Sequence, residues 1–190
     1  MPKKIKDSVL GEYSHRCAIC GGDKPQIHHI DEDHSNNDIN NLLPLCPNCH
    51  LSDQHNPTKK IDPQKLWLFR KFKDPAILKP QFDPIFVRQS FLSYVEEGEE
   101  SIDVLEQKAK ELIAFIAAFE MGTFYSKKLN ELLSVERWPS VFIAGDRRSE
   151  LLWEESRKKE NMGYRKKLIA NKSEIQTLLV ELFRFQSWGK

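Results

Sequence analysis

Apolar residues recur at helical intervals through the later part of the chain. Ile102, Leu105, Ala109, Leu112, Ile113, Ile116 and Phe119 fall three or four positions apart, with one adjacent pair. That spacing predicts one buried helix face. Ser101 is placed to cap this helix, and Asp103 suits its positive N-terminal end. Ile175, Leu178, Leu179, Leu182 and Phe183 predict a second face near the C-terminus, with Asn171 or Ser173 as cap. Between them, 129–135 and 151–153 read as shorter helices, and 141–144 (Val-Phe-Ile-Ala) as a short buried strand. Residues 63–73 predict a helix with Pro63 in its first turn, where a missing N–H costs little. The proline-flanked stretch 79–84 reads as a linker or turn.

The first 60 residues have a different rhythm. Gly21-Gly22-Asp23 predicts a turn, and residues 26–30 (Gln-Ile-His-His-Ile) a short strand. The Asp- and Asn-rich run 31–40 reads as a loop, and 42–45 (Leu-Leu-Pro-Leu) leads on to a short helix starting near Asn48 and carrying His50. Asn56-Pro57 is its natural stop, because a residue before proline is pushed out of the helical region.

Composition narrows the class. The chain has 190 residues, 39% hydrophobic and 30% charged, with a formal net charge of +1. These values fit an ordinary folded protein and exclude a disordered one. No window nears the roughly 18 apolar residues of a membrane-spanning helix. The lysines of the N-terminus precede no apolar core, so no secretory signal is read and a cytoplasmic protein is expected. Nucleic-acid binding would have to come from local basic clusters. Candidates are Lys65, Arg70, Lys71 and Lys73 with Trp67 and Phe69, then Arg147-Arg148, 157–159 and 165–167. The same clusters can equally be solvated helix faces, pairing with Glu154, Glu155 and Glu160.

Chemistry concentrates at the front. The four cysteines form two matched pairs, Cys17-Ala-Ile-Cys20 and Cys46-Pro-Asn-Cys49. Each pair can form a knuckle offering two thiolates, and two knuckles complete a four-sulfur structural Zn2+ site. The interval between the pairs, positions 21 to 45, exceeds the usual ribbon spacing of about 15 to 20 residues, so something is inserted there. A module this small needs such a staple. Five of the six histidines follow the first knuckle: His28, His29, His34, His50 and His55. In a regular strand His28 and His29 would face opposite ways. Either they act separately, or a local break brings them to one site. Neutral imidazoles at His28 and His50 could bind a divalent ion that keeps open positions for water and a phosphate oxygen.

The pattern CxxC, His28-His29-Ile30, Asn41-Leu42 and then Leu45-Cys46-Pro47-Asn48-Cys49-His50 resembles the HNH endonucleases, over roughly Cys17 to His55. The resemblance implies a ββα-metal fold for the zinc-stapled module at 1–60; with the helical periodicity that follows, the chain reads as α+β, this small module followed by a mainly α-helical domain at 61–190 that binds DNA or a partner. It implies metal-dependent hydrolysis of DNA, with catalytic Mg2+ or Mn2+. His28 and His50 would be metal ligands and His29 the general base. Asn41 would pin the loop so that His29 turns toward the site of His28. Many family members carry a further histidine four residues after the equivalent of His50, but position 54 here is Gln54. His55, five residues on, lies about 140 degrees away on an α-helix; it is a weaker candidate ligand, with Asp53 as competitor. His34 reads as a solvated loop residue or a phosphate contact, and His15 as a surface residue. The helical domain could serve a protein partner or self-association, and a role in bacterial or phage defence would fit. The other reading is a non-catalytic, treble-clef-like zinc module that binds nucleic acid or protein.

Overall fold

The computed structural model describes residues 1–98, 100–135 and 147–186. The possible strand at 141–144 lies outside them, as do the side chains of Arg147 and Arg148. The chain is mostly helical with one small sheet, an α+β arrangement. It divides into two compact units, Met1–Pro80 and Gln81–Lys190. None of the helices among the described residues is long and apolar enough to cross a membrane.

The first unit contains α1 (Lys3–Glu12), β1 (Gln26–His29), β2 (Leu42–Leu45) and α2 (Pro63–Phe72), with a π-helical turn at Asn48–Gln54. β1 and β2 pair antiparallel, with Gln26 opposite Leu45 and His29 opposite Leu42. All four residues of β2 are buried. Pro44 is tolerated because each strand of a two-stranded sheet is an edge. Its carbonyl accepts the Ala18 N–H at 2.7 Å, which ties the first cysteine pair to β2.

The unit runs to Pro80 rather than ending near residue 60, and the cause is α2. Asp62 caps this helix by accepting from the Gln64 N–H, and Pro63 occupies its first turn. Its far end turns inward. Arg70 donates to Glu12 at 2.6 Å, to the Tyr13 hydroxyl at 3.1 Å and twice to the Ile39 carbonyl. With only 5% of its side chain exposed, Arg70 is a structural group and not a phosphate contact. Lys65, in the same basic cluster, is buried too. Removing one partner of a buried ion pair strands the other and the attached dipoles. Arg70→Ala is expected to cost about 3 kcal/mol of stability, measurable by urea denaturation.

The second unit holds α3 (Asp83–Gln89), α4 (Phe91–Tyr94), α5 (Ile102–Ala117), α6 (Gly122–Leu133) and α7 (Arg147–Phe185). Ser101 caps α5 by accepting from the Val104 N–H, and Ile102, Leu105, Ala109, Leu112 and Ile116 form its buried face. Gly122 permits the tight α5–α6 turn, since a Cβ there would lie 2.2 Å from the Ile116 carbonyl oxygen.

α7 departs most from expectation. Residues 151–153 are no separate helix, and neither Asn171 nor Ser173 starts one: all lie inside one helix of 39 residues. Three of its side chains, one or two turns apart, satisfy carbonyls left open at the end of α6. Tyr164 donates to Leu133 O at 2.7 Å, Lys167 to Ser134 O at 2.9 Å and Asn171 to Leu132 O at 3.2 Å. Arg165 donates to the carbonyls of Val95, Gly98 and Glu100. Arg157 pairs with Asp103 and lies over the Trp153 ring. Much of the basic clustering in this unit is therefore spent on closing the fold.

Candidate metal centre and histidine clusters

Among the described residues, two groups of side chains could hold a metal ion. The first is Cys17, Cys20, Cys46 and Cys49, whose sulfurs lie within 4.8 Å of one another. Cys20 Sγ and Cys46 Sγ are 3.5 Å apart. A tetrahedral ion with metal–sulfur bonds of about 2.3 Å separates its sulfurs by about 3.8 Å, so the cage fits. The first knuckle is closed by Cys17 N–H donating to Gly22 O and Gly21 N–H to Cys17 O, both at 2.9 Å. Gly21 takes φ +72°, and a Cβ on Gly22 would press to 3.3 Å from the Cys20 sulfur. The second knuckle leaves β2 and enters the π-helical turn. There the Cys49 backbone N–H lowers the Cys46 thiol to about 7, whereas burial pushes Cys49 up.

The second group is His28, His50 and His55, again with ligand atoms within 4.8 Å. The His50 and His55 Nε2 atoms are 3.3 Å apart. That is about the separation of two imidazoles on one tetrahedral ion with bonds of about 2.05 Å. The π turn explains how a spacing of five residues succeeds. His55 N–H donates to His50 O at 3.2 Å, an i to i+5 hydrogen bond. This wider turn brings position 55 back over position 50, where an α-helix would have carried it away. Gln54 instead goes inside, at 1% exposure. Asp53 is not in the group and lies 3.8 Å from Lys59.

Gln26 supports this cluster, and the sequence reading gave it no part. It sits two residues before His28 on β1, so strand alternation puts both on one face. Its Oε1 accepts from His50 Nδ1 at 3.1 Å, which leaves Nε2 of His50 for an ion. The i, i+2 spacing on a strand was the available signal.

Burial holds His28 down at about 4, with His50 and His55 next in effect. The ordinary value is 6.5. Between the two, the unfolded chain takes up a proton that the folded protein refuses. The resulting penalty is absent above about pH 6.5 and grows as pH falls toward 4. Thermal melts over this window are expected to show the midpoint dropping with pH, and His28→Gln is expected to flatten that drop.

His29 belongs to another grouping. β1 keeps its pairing as far as His29 and Leu42, where the strand ends. The two rings join different neighbours: His28 lies beside His50 and His55, His29 beside His34. His29 Nδ1 lies 3.4 Å from His34 Nδ1, with the rings 5.1 Å apart and 89° inclined. The two groupings still share a field: His29 acts on the titration of His28, and His34 on that of His50.

Asn41, buried beside them, spends its whole amide on the intervening loop. Its Nδ2 donates to Asp31 Oδ1 at 2.7 Å and to Asn36 O at 3.2 Å, and its Oδ1 accepts the Asp31 N–H at 3.1 Å. The Asp31 carboxylate also accepts from Asp33 N–H and Asn36 Nδ2, and these hydrogen bonds hold its pKa below the usual carboxylate range.

The chain is 43% identical to the H-N-H endonuclease F-TflIV of Escherichia phage T5, over a stretch covering 30% of this chain and 30% of that protein. It therefore spans under a third of the relative's length. No protein-family model matches the chain, and no solved structure matches it significantly. Over that stretch, this protein is similar to the H-N-H endonucleases.

Proposed function

We propose that the first unit is a ββα-metal nuclease module that hydrolyses phosphodiester bonds in DNA. The observation that carries this reading is the His28, His50, His55 cluster, whose His50 directly follows Cys49 of the four-cysteine cage. Cys46 O accepts the His50 N–H at 2.8 Å, so the cage and the cluster share backbone. In this reading the cysteines hold structural Zn2+, and His28, His50 and His55 hold the catalytic ion. Three imidazoles without a carboxylate suit Mn2+ or a later transition metal better than Mg2+, which prefers oxygen ligands. When bound, that ion supplies charge stabilisation at the scissile phosphate and the leaving 3′ oxygen.

His29 is the proposed base. Its Nε2 is buried and has no hydrogen-bond partner, and an orphaned buried acceptor marks a place where a ligand can be bound. Nε2 would accept the proton of the attacking water as its oxygen bonds to phosphorus, the bond from phosphorus to the 3′ oxygen breaks, and that oxygen takes a proton from solvent. Asn41 positions the loop around this base. The helical unit would bind a protein partner or a second copy.

Plasmid cleavage tests the proposal, with Mg2+, Mn2+, Ni2+ and Zn2+ supplied in turn and EDTA as control. Nicking or linearisation that requires one of these ions is expected. DNA binding without cleavage under every ion would replace the nuclease by a non-catalytic zinc module.

A further inference from the structure

We propose that His34 is the positioning residue for His29, acting through the hydrogen bond between their Nδ1 atoms. The inference rests on His29 being the base, but the contact itself can be tested without cleavage. A neutral imidazole carries one N–H, and its location decides which nitrogen can accept a proton. His29 can use Nε2 as a base only if its proton sits on Nδ1. A proton there needs an acceptor, because His29 is buried. The acceptor facing it is Nδ1 of His34, at 3.4 Å. His34 must then carry its own proton on Nε2, which its exposed position allows.

The loop is built to keep this pair in register. Asn41 grips Asp31, two residues after His29, and Asn36, two residues after His34. Asp33 adds hydrogen bonds from the Ser35 N–H at 2.8 Å and the Ser35 hydroxyl at 2.7 Å. One amide therefore spaces both histidines. When His29 takes the water's proton on Nε2, its Nδ1–H bond to His34 becomes charge-assisted and stronger. His34 thus holds the His29 ring in one orientation and keeps its Nε2 as the acceptor, without touching substrate.

The test uses the full chain, with the effective ion from the plasmid assay, and compares His34→Ala with His34→Asn. Asn Oδ1 occupies nearly the place of a histidine Nδ1 and can accept the same proton. His34→Ala is expected to lower kcat roughly 10- to 100-fold, with KM, zinc content and divalent-ion affinity unchanged. His34→Asn is expected to recover most of that loss. Raised KM with unchanged kcat would make His34 a phosphate contact, and equal loss in both variants would make it packing; either overturns the proposal. Nitrogen-15 NMR of the imidazoles reads the tautomer independently. Nδ1–H on His29 in the wild type, displaced in His34→Ala, is the expected result, and Nε2–H in the wild type overturns the proposal. A wild type that shows Nδ1–H but cleaves nothing would overturn the nuclease reading and leave the His34 contact standing.

Discussion

Serine at position 49 is expected to unfold the first unit while the helices of the second persist. Cys49 is one of three buried members of the cage. Its knuckle joins the end of β2 to the turn that carries His50. The unit is small, and its core rests on a few residues such as Val9, Leu42, Leu43, Leu45, Leu66 and Phe69. A structural zinc contributes on the order of 10 kcal/mol or more of apparent binding free energy, and a domain's net stability is about 5 to 15 kcal/mol. Losing the ion therefore removes most of what holds this unit together. Elemental analysis is expected to give one zinc per wild-type chain and much less in Cys49→Ser. Limited proteolysis of the variant should cut within the first 80 residues before the rest. A Cys49→Ser protein with wild-type zinc content and melting would refute the structural role.

The second large effect is expected at His29. His29→Gln keeps most of the side-chain volume and a polar tip but cannot serve as a base near neutral pH. A positioned general base contributes about 10²- to 10⁴-fold, so kcat should fall by that order with KM little changed. Divalent-ion binding should survive, because His28, His50 and His55 are untouched, and calorimetric titration with Mn2+ reports it directly. Loss of ion binding along with activity would instead assign His29 to the metal. Retained cleavage would move the base elsewhere.

How far the chain could be read depended on the range of the interaction that shapes each part. β1, the capped start of α5 and the proline-led α2 were legible because turns, caps and alternation act within a few residues. α1 was missed: Pro2 provides no side-chain cap, and Val9 is its one buried residue. α7 was read as several pieces because its face changes partners along its length, so no single period runs through it.

The same division applies to the candidate site. The matched cysteine pairs, the clustered histidines and Asn41 stand out from residue type and spacing alone. Folding decided which of them meet. The π turn places His55 with His50, because an i to i+5 hydrogen bond changes the rotation per residue in a way no helical periodicity announces. β1 ends at His29 and its two histidines meet different neighbours, while the Asn41-pinned loop brings His34, which reads from the sequence as a solvated loop residue or a phosphate contact, to the side of His29. Residue order is enough to mark the candidate ligand types and their local spacing, since ligand chemistry and short-range backbone geometry are written locally. Folding is what turns Arg70, Arg165 and Lys167 to closing the fold and brings Gln26 to His50 and His34 to His29. Their partners lie on other strands, loops and helices, and a hydrogen bond depends on distance in space, which the order of residues does not record.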